Sequence, residues 1–295
     1  MIKGTTKLLG VIGHPIAHSL SPAMHNAAIS HLGVDFVYLA FPVKPEDLEV
    51  ALAGFGAIGL QGFSITIPHK QAILPLLSEV SPIAQAIGAV NTVYLTDKGW
   101  CGTNTDVEGF LAPLQTPVYQ ARAGSDWSQK VAVILGNGGA ARAVVAGCAQ
   151  LGCAQIHVVG RSAQNLAEFQ QSWVNSPMPV PNLQVHTWDN LSMLISQADL
   201  LVNTTPVGMY PHGEKSPVVD RTIDRISAGA IVYDLIYNPS PTQFLKDAQL
   251  RGAQTIDGLE MLVQQGAAAL KIWLHKESVP VDVMRQTLQQ HLGLN

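Results

Sequence analysis

In Lys130-Val131-Ala132-Val133-Ile134-Leu135-Gly136-Asn137-Gly138-Gly139-Ala140-Ala141-Arg142, an apolar run passes straight into a glycine-rich turn and then into small, helix-tolerant residues. Val131 to Leu135 has the length and composition of a strand covered on both faces, as in a parallel sheet. Gly136, Gly138 and Ala141 follow at the G-x-G-x-x-G/A spacing. The first permits a tight turn, the second lets a pyrophosphate approach the backbone, and the small third residue lets a helix pack close to the strand. The N-terminus of that helix offers free N–H groups and the positive end of a dipole to an anion. The glycines alone describe an ordinary tight turn equally well. The strand before them and the small-residue helix Ala140 to Leu151 after them favour a dinucleotide site.

The same alternation continues on the C-terminal side. Strand Ile156 to Val159 leads to helix Ala163 to Trp173, a Pro-rich loop from Asn175 to Asn182, and a strand around Gln184 to Trp188. Helix Leu191 to Ser196, strand Leu200 to Asn203, strand Ala230 to Leu235 and helix Thr242 to Arg251 complete a doubly wound parallel sheet. Toward the N-terminus, strands are expected at Leu8 to Ile12, Phe36 to Phe41, Leu60 to Ile67 and Ala89 to Tyr94. Helices are expected after Ser21-Pro22, from Pro45 to Gly54, from Ser81 to Ala86 and from Val107 to Leu114. Gln115 to Gln129 reads as a surface insertion or linker. Leu259 to Trp273 and Val281 to His291 are purely helical in pattern.

A chain of 295 residues exceeds the usual size of one domain. Its 17 basic and 21 acidic residues give a net charge of -4, so no basic surface for nucleic acid is advertised. Only 13% of residues are charged, against about a quarter in a typical soluble domain, which makes each charge within an apolar motif more informative. Cys101, Cys148 and Cys153 lack metal or redox spacing and read as reduced thiols; the ten histidines are scattered, so no metal is expected. Met1 to Gly10 does not resemble a signal peptide, and no apolar stretch reaches about 18 residues. The expectation is a soluble cytoplasmic protein.

Arg161 and Ser162 stand at the end of the second strand of the nucleotide unit, where an acid would hold a ribose 2′-hydroxyl and an arginine accommodates a 2′-phosphate. Lys70 follows a strand and Pro68, so it emerges at the end of a sheet, where open α/β folds bind ligands. Asp106 begins a helix and has the residue type of an N-cap or first-turn acid. Ser21 reads as an N-cap before Pro22, which leaves Ser19 without capping duty.

Ser19, Ser21, Lys70 and Asp106 fall within motifs that resemble the shikimate dehydrogenase family over nearly the whole chain. The motifs are Ser19-Leu20-Ser21-Pro22, Thr66-Ile67-Pro68-His69-Lys70, Ala89-Val90-Asn91-Thr92, Asn104-Thr105-Asp106 and Gly136-Asn137-Gly138-Gly139-Ala140. They continue with Asn203-Thr204-Thr205-Pro206-Val207-Gly208-Met209, Asp234-Leu235-Ile236-Tyr237-Asn238-Pro239 with Thr242, and Asp257-Gly258-Leu259-Glu260-Met261-Leu262 with Gln265.

The resemblance implies an α/β fold of two domains: a substrate domain from 1–106 and 256–295, whose C-terminal helices return to it, and a Rossmann-like NADP domain from 107–255, with ligands in the cleft between them. It implies NADP-linked interconversion of 3-dehydroshikimate and shikimate, a step of aromatic amino-acid biosynthesis, with Lys70 and Asp106 as the catalytic pair. Ser19, Ser21, Thr66, Lys70, Asn91, Asp106, Tyr237 and Gln265 would line the substrate pocket, the two serines holding a carboxylate. Gly136, Asn137, Gly138, Gly139, Ala140, Arg161, Ser162, Asn203, Thr204, Thr205, Met209, Leu235 and Gly258 would hold NADP. The partners expected are small molecules alone, with the protein a monomer or homodimer and neither nucleic acid nor membrane involved. Two residues depart from the family pattern: Ser64 replaces a frequent asparagine, and Asn165 stands where some members have a second arginine. A quinate or quinate/shikimate dehydrogenase and a non-catalytic nucleotide-binding regulator are the alternative readings.

Overall fold

The computed structural model describes residues 2–117, 119, 126–174 and 176–294. The chain divides into two compact units, Met1–Thr105 with Val263–Asn295, and Asp106–Leu262. The expected linker over 115–129 lies partly outside the described residues.

In the first unit the strands are β1 (Lys7–Gly13), β2 (Phe36–Pro42), β3 (Gly62–Ile65), β4 (Glu79–Val80), β5 (Thr92–Thr96) and β6 (Gly99–Thr103), in the order β2-β1-β3-β5-β6-β4. β1 pairs in parallel with β2 and β3, whereas β5 is antiparallel to both β3 and β6. The sheet is therefore mixed. β6 and β4 escape sequence reading because β4 has two residues and β6 begins at a glycine and contains another. Gly102 is required by packing, since a Cβ there would press on Leu77 and Val90. One face is covered by Ile12, Leu52, Phe55, Phe63, Val93 and Trp100. Phe63 and Trp100 meet edge to face at 5.3 Å, and the Trp100 indole N–H donates to Leu52 O.

The helices Ser21–Leu32 and Val281–Leu292 pack against each other. From the first of these, His25 stacks on Tyr38 of β2 with ring centroids 4.2 Å apart. Trp273 lies over Gly62, where a Cβ would collide with its indole, and donates to Val93 O at 2.9 Å. The Asn26 amide, one residue further along the helix, accepts from Tyr38 N–H at 2.9 Å and donates to Tyr38 O at 2.8 Å.

His25 is fully buried, and neither ring nitrogen has a hydrogen-bond partner. Burial pushes the imidazole down to about 3, so it is neutral in the fold. The unfolded chain, with its histidines near 6.5, takes up a proton that the folded chain refuses. Stability from this group is complete above pH ~6.5 and is lost as pH falls toward 3, by up to about 1.4 kcal/mol per pH unit. His25→Phe keeps an aromatic ring against Tyr38. Urea unfolding between pH ~6.5 and ~4 should therefore show a flatter pH slope for the variant than for the wild type. Equal slopes would mean that His25 is protonated inside the fold.

The second unit contains β7 (Val131–Leu135), β8 (Gln155–Gly160), β9 (Leu183–Thr187), β10 (Leu200–Asn203), β11 (Ile231–Asp234) and β12 (Gln254–Ile256). Every pairing is parallel, in the order β12-β11-β10-β7-β8-β9. This is the doubly wound order whose direction reverses between β7 and β10, the position where such sheets bind dinucleotides. Val133, Leu135, Val159, Leu201 and Val232 bury one face against Leu194, Phe244 and Leu245. The helix Asp106–Leu114 packs on the helix Gly139–Leu151, where Gly147 admits the Phe110 ring at a distance that a Cβ would reduce to 2.5 Å. Phe110 stacks on Tyr233 at 5.4 Å.

β12 keeps Ile256 in this second sheet, and the chain passes between units at Leu262 and Val263, inside the helix Leu259–Leu274. Cys101, Cys148 and Cys153 are buried and unbridged. Among the described residues no cluster of three or more metal-ligating side chains occurs, and no helix is long and apolar enough to cross a membrane.

Candidate active site

In the first unit the loops after β1 and β3 are laced together. Thr66 N–H donates to Ile12 O and His14 N–H to Ile67 O, both at 3.0 Å, and Gly13 lacks the Cβ that would strike the Thr66 methyl. Ser21 does not take the N-cap position expected of it. Ser21 is the first residue of the helix Ser21–Leu32, Leu20 occupies the cap, and Ser19 Oγ accepts from Ser21 N–H at 3.3 Å. Pro22 contributes no N–H, so the hydroxyl two residues before Ser21 serves the donor adjacent to the proline.

Lys70 lies in the short helix His69–Ala72. Its carbonyl accepts from Val90 N–H at 2.8 Å, and the buried ring of His69 is bonded through Nε2 to Val43 O at 2.7 Å. The half-buried Lys70 side chain therefore starts from a fixed backbone. Ser64 is buried in β3, between Val11 of β1 and Thr92 of β5.

Asn91, 174 positions before Gln265, is joined to it directly: Asn91 Nδ2 donates to Gln265 Oε1 at 3.4 Å and to Thr105 Oγ1 at 2.9 Å. Asn91 Oδ1 accepts from Thr105 N–H at 2.8 Å and from the Thr92 hydroxyl at 3.0 Å. Thr105 is thus the partner that orients the Asn91 amide. Sequence reading passed over it, although it sits inside a motif quoted for its neighbour.

In the second unit Asp106 is buried and opens the helix Asp106–Leu114, where a carboxylate favours the positive end of the helix dipole. Sheet register brings the remaining residues to one edge. Leu135 stands opposite Val159 and Asn203, and Asn203 opposite Asp234. Gly136, Arg161, Thr204 and Leu235 therefore leave four neighbouring strands within a residue or two of the same level.

Gly136 has φ +104°, and a Cβ on it would lie 2.7 Å from Thr204 Oγ1. Thr204 itself is tied beneath the turn, its hydroxyl donating to Leu135 O at 2.7 Å. Gly138 caps the helix Gly139–Leu151 and faces open space, with nothing within 4 Å of where a Cβ would be. Asn137 reaches back toward β8, its Oδ1 3.3 Å from the Cβ position of Gly160. Beyond Gly160, Arg161 is exposed, and Ser162 Oγ accepts from Asn165 N–H at 3.3 Å while its own hydrogen can still be donated. No carboxylate follows β8 where an NAD-specific site would place one. A bare backbone at a 13-residue helix N-terminus, with an exposed guanidinium beyond the neighbouring strand, fits a pyrophosphate together with a 2′-phosphate.

Met209 is half-exposed, and Gly208 before it has φ +97°, in a loop that the Asn203 side chain helps to hold. Gly258 N–H donates to Ile236 O at 3.0 Å, and its missing Cβ leaves room for the Leu235 carbonyl. This clamps the segment that carries Leu235 and the partly buried Tyr237.

The family model described as the shikimate dehydrogenase substrate binding domain matches residues 11–93, and that of the shikimate 5′-dehydrogenase C-terminal domain matches residues 258–289. The NADP(+) shikimate dehydrogenase of Trichormus variabilis is 66% identical over 294 residues, covering 100% of both chains. A shikimate dehydrogenase solved in complex with NADP+ superimposes with a TM-score of 0.88 at 36% identity, covering 99% of this chain and 98% of that one. The quinate dehydrogenase of Corynebacterium glutamicum, solved with NAD, gives a TM-score of 0.85 at 30% identity, covering 97% and 99%. With two residues in three shared along its full length with one relative, the chain belongs to the shikimate dehydrogenase family.

Proposed function

We infer that this chain reduces 3-dehydroshikimate to shikimate with NADPH and runs the reverse oxidation with NADP, as a cytoplasmic monomer or homodimer. The observation that carries this reading is the full-length 66% identity to an NADP(+) shikimate dehydrogenase. Bound NADPH supplies a hydride to the ring carbonyl. The chain's own residues bind the ring, orient it and manage the proton. Ser19 and Ser21 hold the carboxylate, while Thr66, Asn91, Tyr237 and Gln265 present neutral hydroxyl and amide groups suited to a polyhydroxylated ring. Lys70 Nζ gives a proton to the developing alkoxide in reduction and removes it in oxidation. Asp106 orients Lys70 and binds a ring hydroxyl.

Gly136 to Ala140 are assigned to the pyrophosphate, Arg161 and Ser162 to the 2′-phosphate, and Asn203 to Thr205, Met209, Leu235 and Gly258 to the rest of the cofactor. A charge-assisted contact to a phosphate is worth about 1.5–3 kcal/mol, or roughly 10- to 150-fold. Arg161→Ala should lower the NADP/NAD ratio of kcat/KM by the lower part of that range, because Asn165 offers no second guanidinium. An unchanged ratio would remove Arg161 from the 2′-phosphate site. The deciding measurement for the whole reading is kcat/KM for shikimate and for quinate, each with NADP and NAD. Shikimate with NADP should give the highest value; quinate with NAD giving it would turn the assignment to a quinate dehydrogenase, and no turnover with either would leave a nucleotide-binding protein.

A further inference from the structure

We propose that Asp234 is a positioning residue for the reaction inferred above, whose buried carboxylate sets the loop 204–209 and the segment 235–237 against each other. Asp234 ends β11 with no exposed surface. One oxygen, Oδ1, accepts from the Asn203 amide at 2.9 Å and from Ile236 N–H at 3.1 Å; the other accepts from the Thr242 hydroxyl at 2.7 Å. Each donor belongs to a different piece of chain: the end of β10, the turn after β11, and the N-cap of the helix Gln243–Gln249, where Thr242 Oγ1 accepts from Leu245 N–H at 3.3 Å.

Asn203, also fully buried, extends the reach of the carboxylate. Its Oδ1 accepts from Thr205 N–H at 3.0 Å and from the Thr205 hydroxyl at 2.7 Å, and its Nδ2 donates to Val207 O at 3.3 Å. One carboxylate therefore governs, directly or through a single amide, the segments that carry Thr205, Met209, Leu235 and Tyr237.

All three groups that face Asp234 act as donors, and an ionised carboxylate alone answers them without adding a hydrogen that needs its own acceptor. The bonds are charge-assisted, hence stronger than bonds between neutral groups. Burial still dominates the energetics, for the carboxyl is pushed up to about 6 although all three donors pull it down. A buried carboxylate is a costly way to stabilise a fold, since an uncharged, well-packed alternative of similar size is often at least as stable. What it provides is a fixed geometry at the end of two strands. That geometry matters to hydride transfer, because a misplacement of about 1 Å in a reacting pair can cost about 10²-fold.

Asp234→Asn tests this while keeping the shape. The amide oxygen can still accept from Asn203 and Ile236, but the amide nitrogen now meets Thr242, and the charge is gone. Wild type and variant are measured together at saturating shikimate and NADP, with NADPH affinity read from its fluorescence and folding from circular dichroism. The expected result is a cooperatively folded variant with kcat lowered roughly 10- to 100-fold and a Kd for NADPH raised by a clearly smaller factor, since the segments that shift carry part of the cofactor site while the phosphate groups at Gly138 and Arg161 are untouched. An unchanged kcat, or a raised Kd with unchanged kcat, would overturn the proposal. Wild-type protein inactive on shikimate would instead sink the functional reading on which it rests. If Asp234→Asn does not fold, Thr242→Val removes the single donor to the other carboxylate oxygen at a residue assigned to no ligand: a severalfold lower kcat with a Kd for NADPH within about threefold supports the proposal, and a wild-type kcat overturns it.

Discussion

Lys70→Ala is expected to lower kcat by about 10²- to 10⁴-fold, the usual contribution of a positioned general acid or base. Hydride arrival at a carbonyl carbon leaves charge on oxygen, and that charge has to be met by a proton donor within hydrogen-bond reach. The proposed role of Lys70 as that donor is testable by truncation because its backbone is held by bonds that do not involve its side chain. Val90 N–H holds its carbonyl, and its neighbour His69 is anchored to Val43 O. Truncation should thus remove the ammonium group without rearranging the loop. In the proposed mechanism the interaction is made mainly in the transition state, so KM for shikimate should change far less than kcat. Steady-state kinetics in both directions decide the matter. Near-normal kcat with a greatly raised KM would make Lys70 a binding residue and end the proposed mechanism.

Gly258→Ala should be among the most damaging small substitutions in the second unit. The added Cβ would run into the carbonyl oxygen and carbon of Leu235 and approach the Ile236 carbonyl carbon at 3.0 Å. These are backbone atoms of a segment already held by Gly258 N–H at Ile236 O and by Asp234 at Ile236 N–H. Overpacking ordinarily costs about 1–3 kcal/mol, and a collision with fixed backbone belongs at or above the top of that range. For a unit of this size that corresponds to a thermal midpoint lower by roughly 6–12 °C. Tyr237 and Leu235 would shift with the segment, so kcat should fall as well. Calorimetry and a kcat measurement on the same preparation check both parts, and a variant matching the wild type in midpoint and rate would show that the segment has room to yield.

The second unit was the more legible of the two in the sequence. Val131 to Leu135 announces a buried strand, the glycines that follow announce the turn, and the observed strand has those same bounds. Later strands repeat the signal until β12, which has three residues, two of them polar, and so presents no period. In the first unit the parallel strands β1, β2 and β3 read clearly, whereas β4, with two residues, did not. The antiparallel β6 did not, because Gly99 and Gly102 dilute its pattern for reasons of close packing that only the folded neighbours reveal.

Site residues became visible through motifs, but their mutual arrangement did not. Nothing local to Asn91 points to Gln265, and nothing in Asp234-Leu235 shows that Asn203 and Thr242 will both donate to the same carboxylate. The cap fell on Leu20 rather than on Ser21 because a cap is defined by where the first helical turn closes, which local sequence leaves open by a residue or two.

The Asn26 amide gives β2 a protection that its sequence lacks. β2 is the outermost strand of its sheet, and Phe36-Val37-Tyr38-Leu39-Ala40-Phe41 is long, apolar and uncharged, with Leu39 exposed at 42%. A free edge of that kind is a template on which another chain can add a strand and begin to aggregate. At its midpoint, however, the outward N–H and C=O of Tyr38 are both taken by one side chain, which imitates the neighbour that an incoming strand would have to become. Pro42 then ends the strand without an N–H to offer. In a chain with only 13% charged residues, where like-charge repulsion does little to keep molecules apart, a single asparagine thus shields the apolar edge of its own sheet.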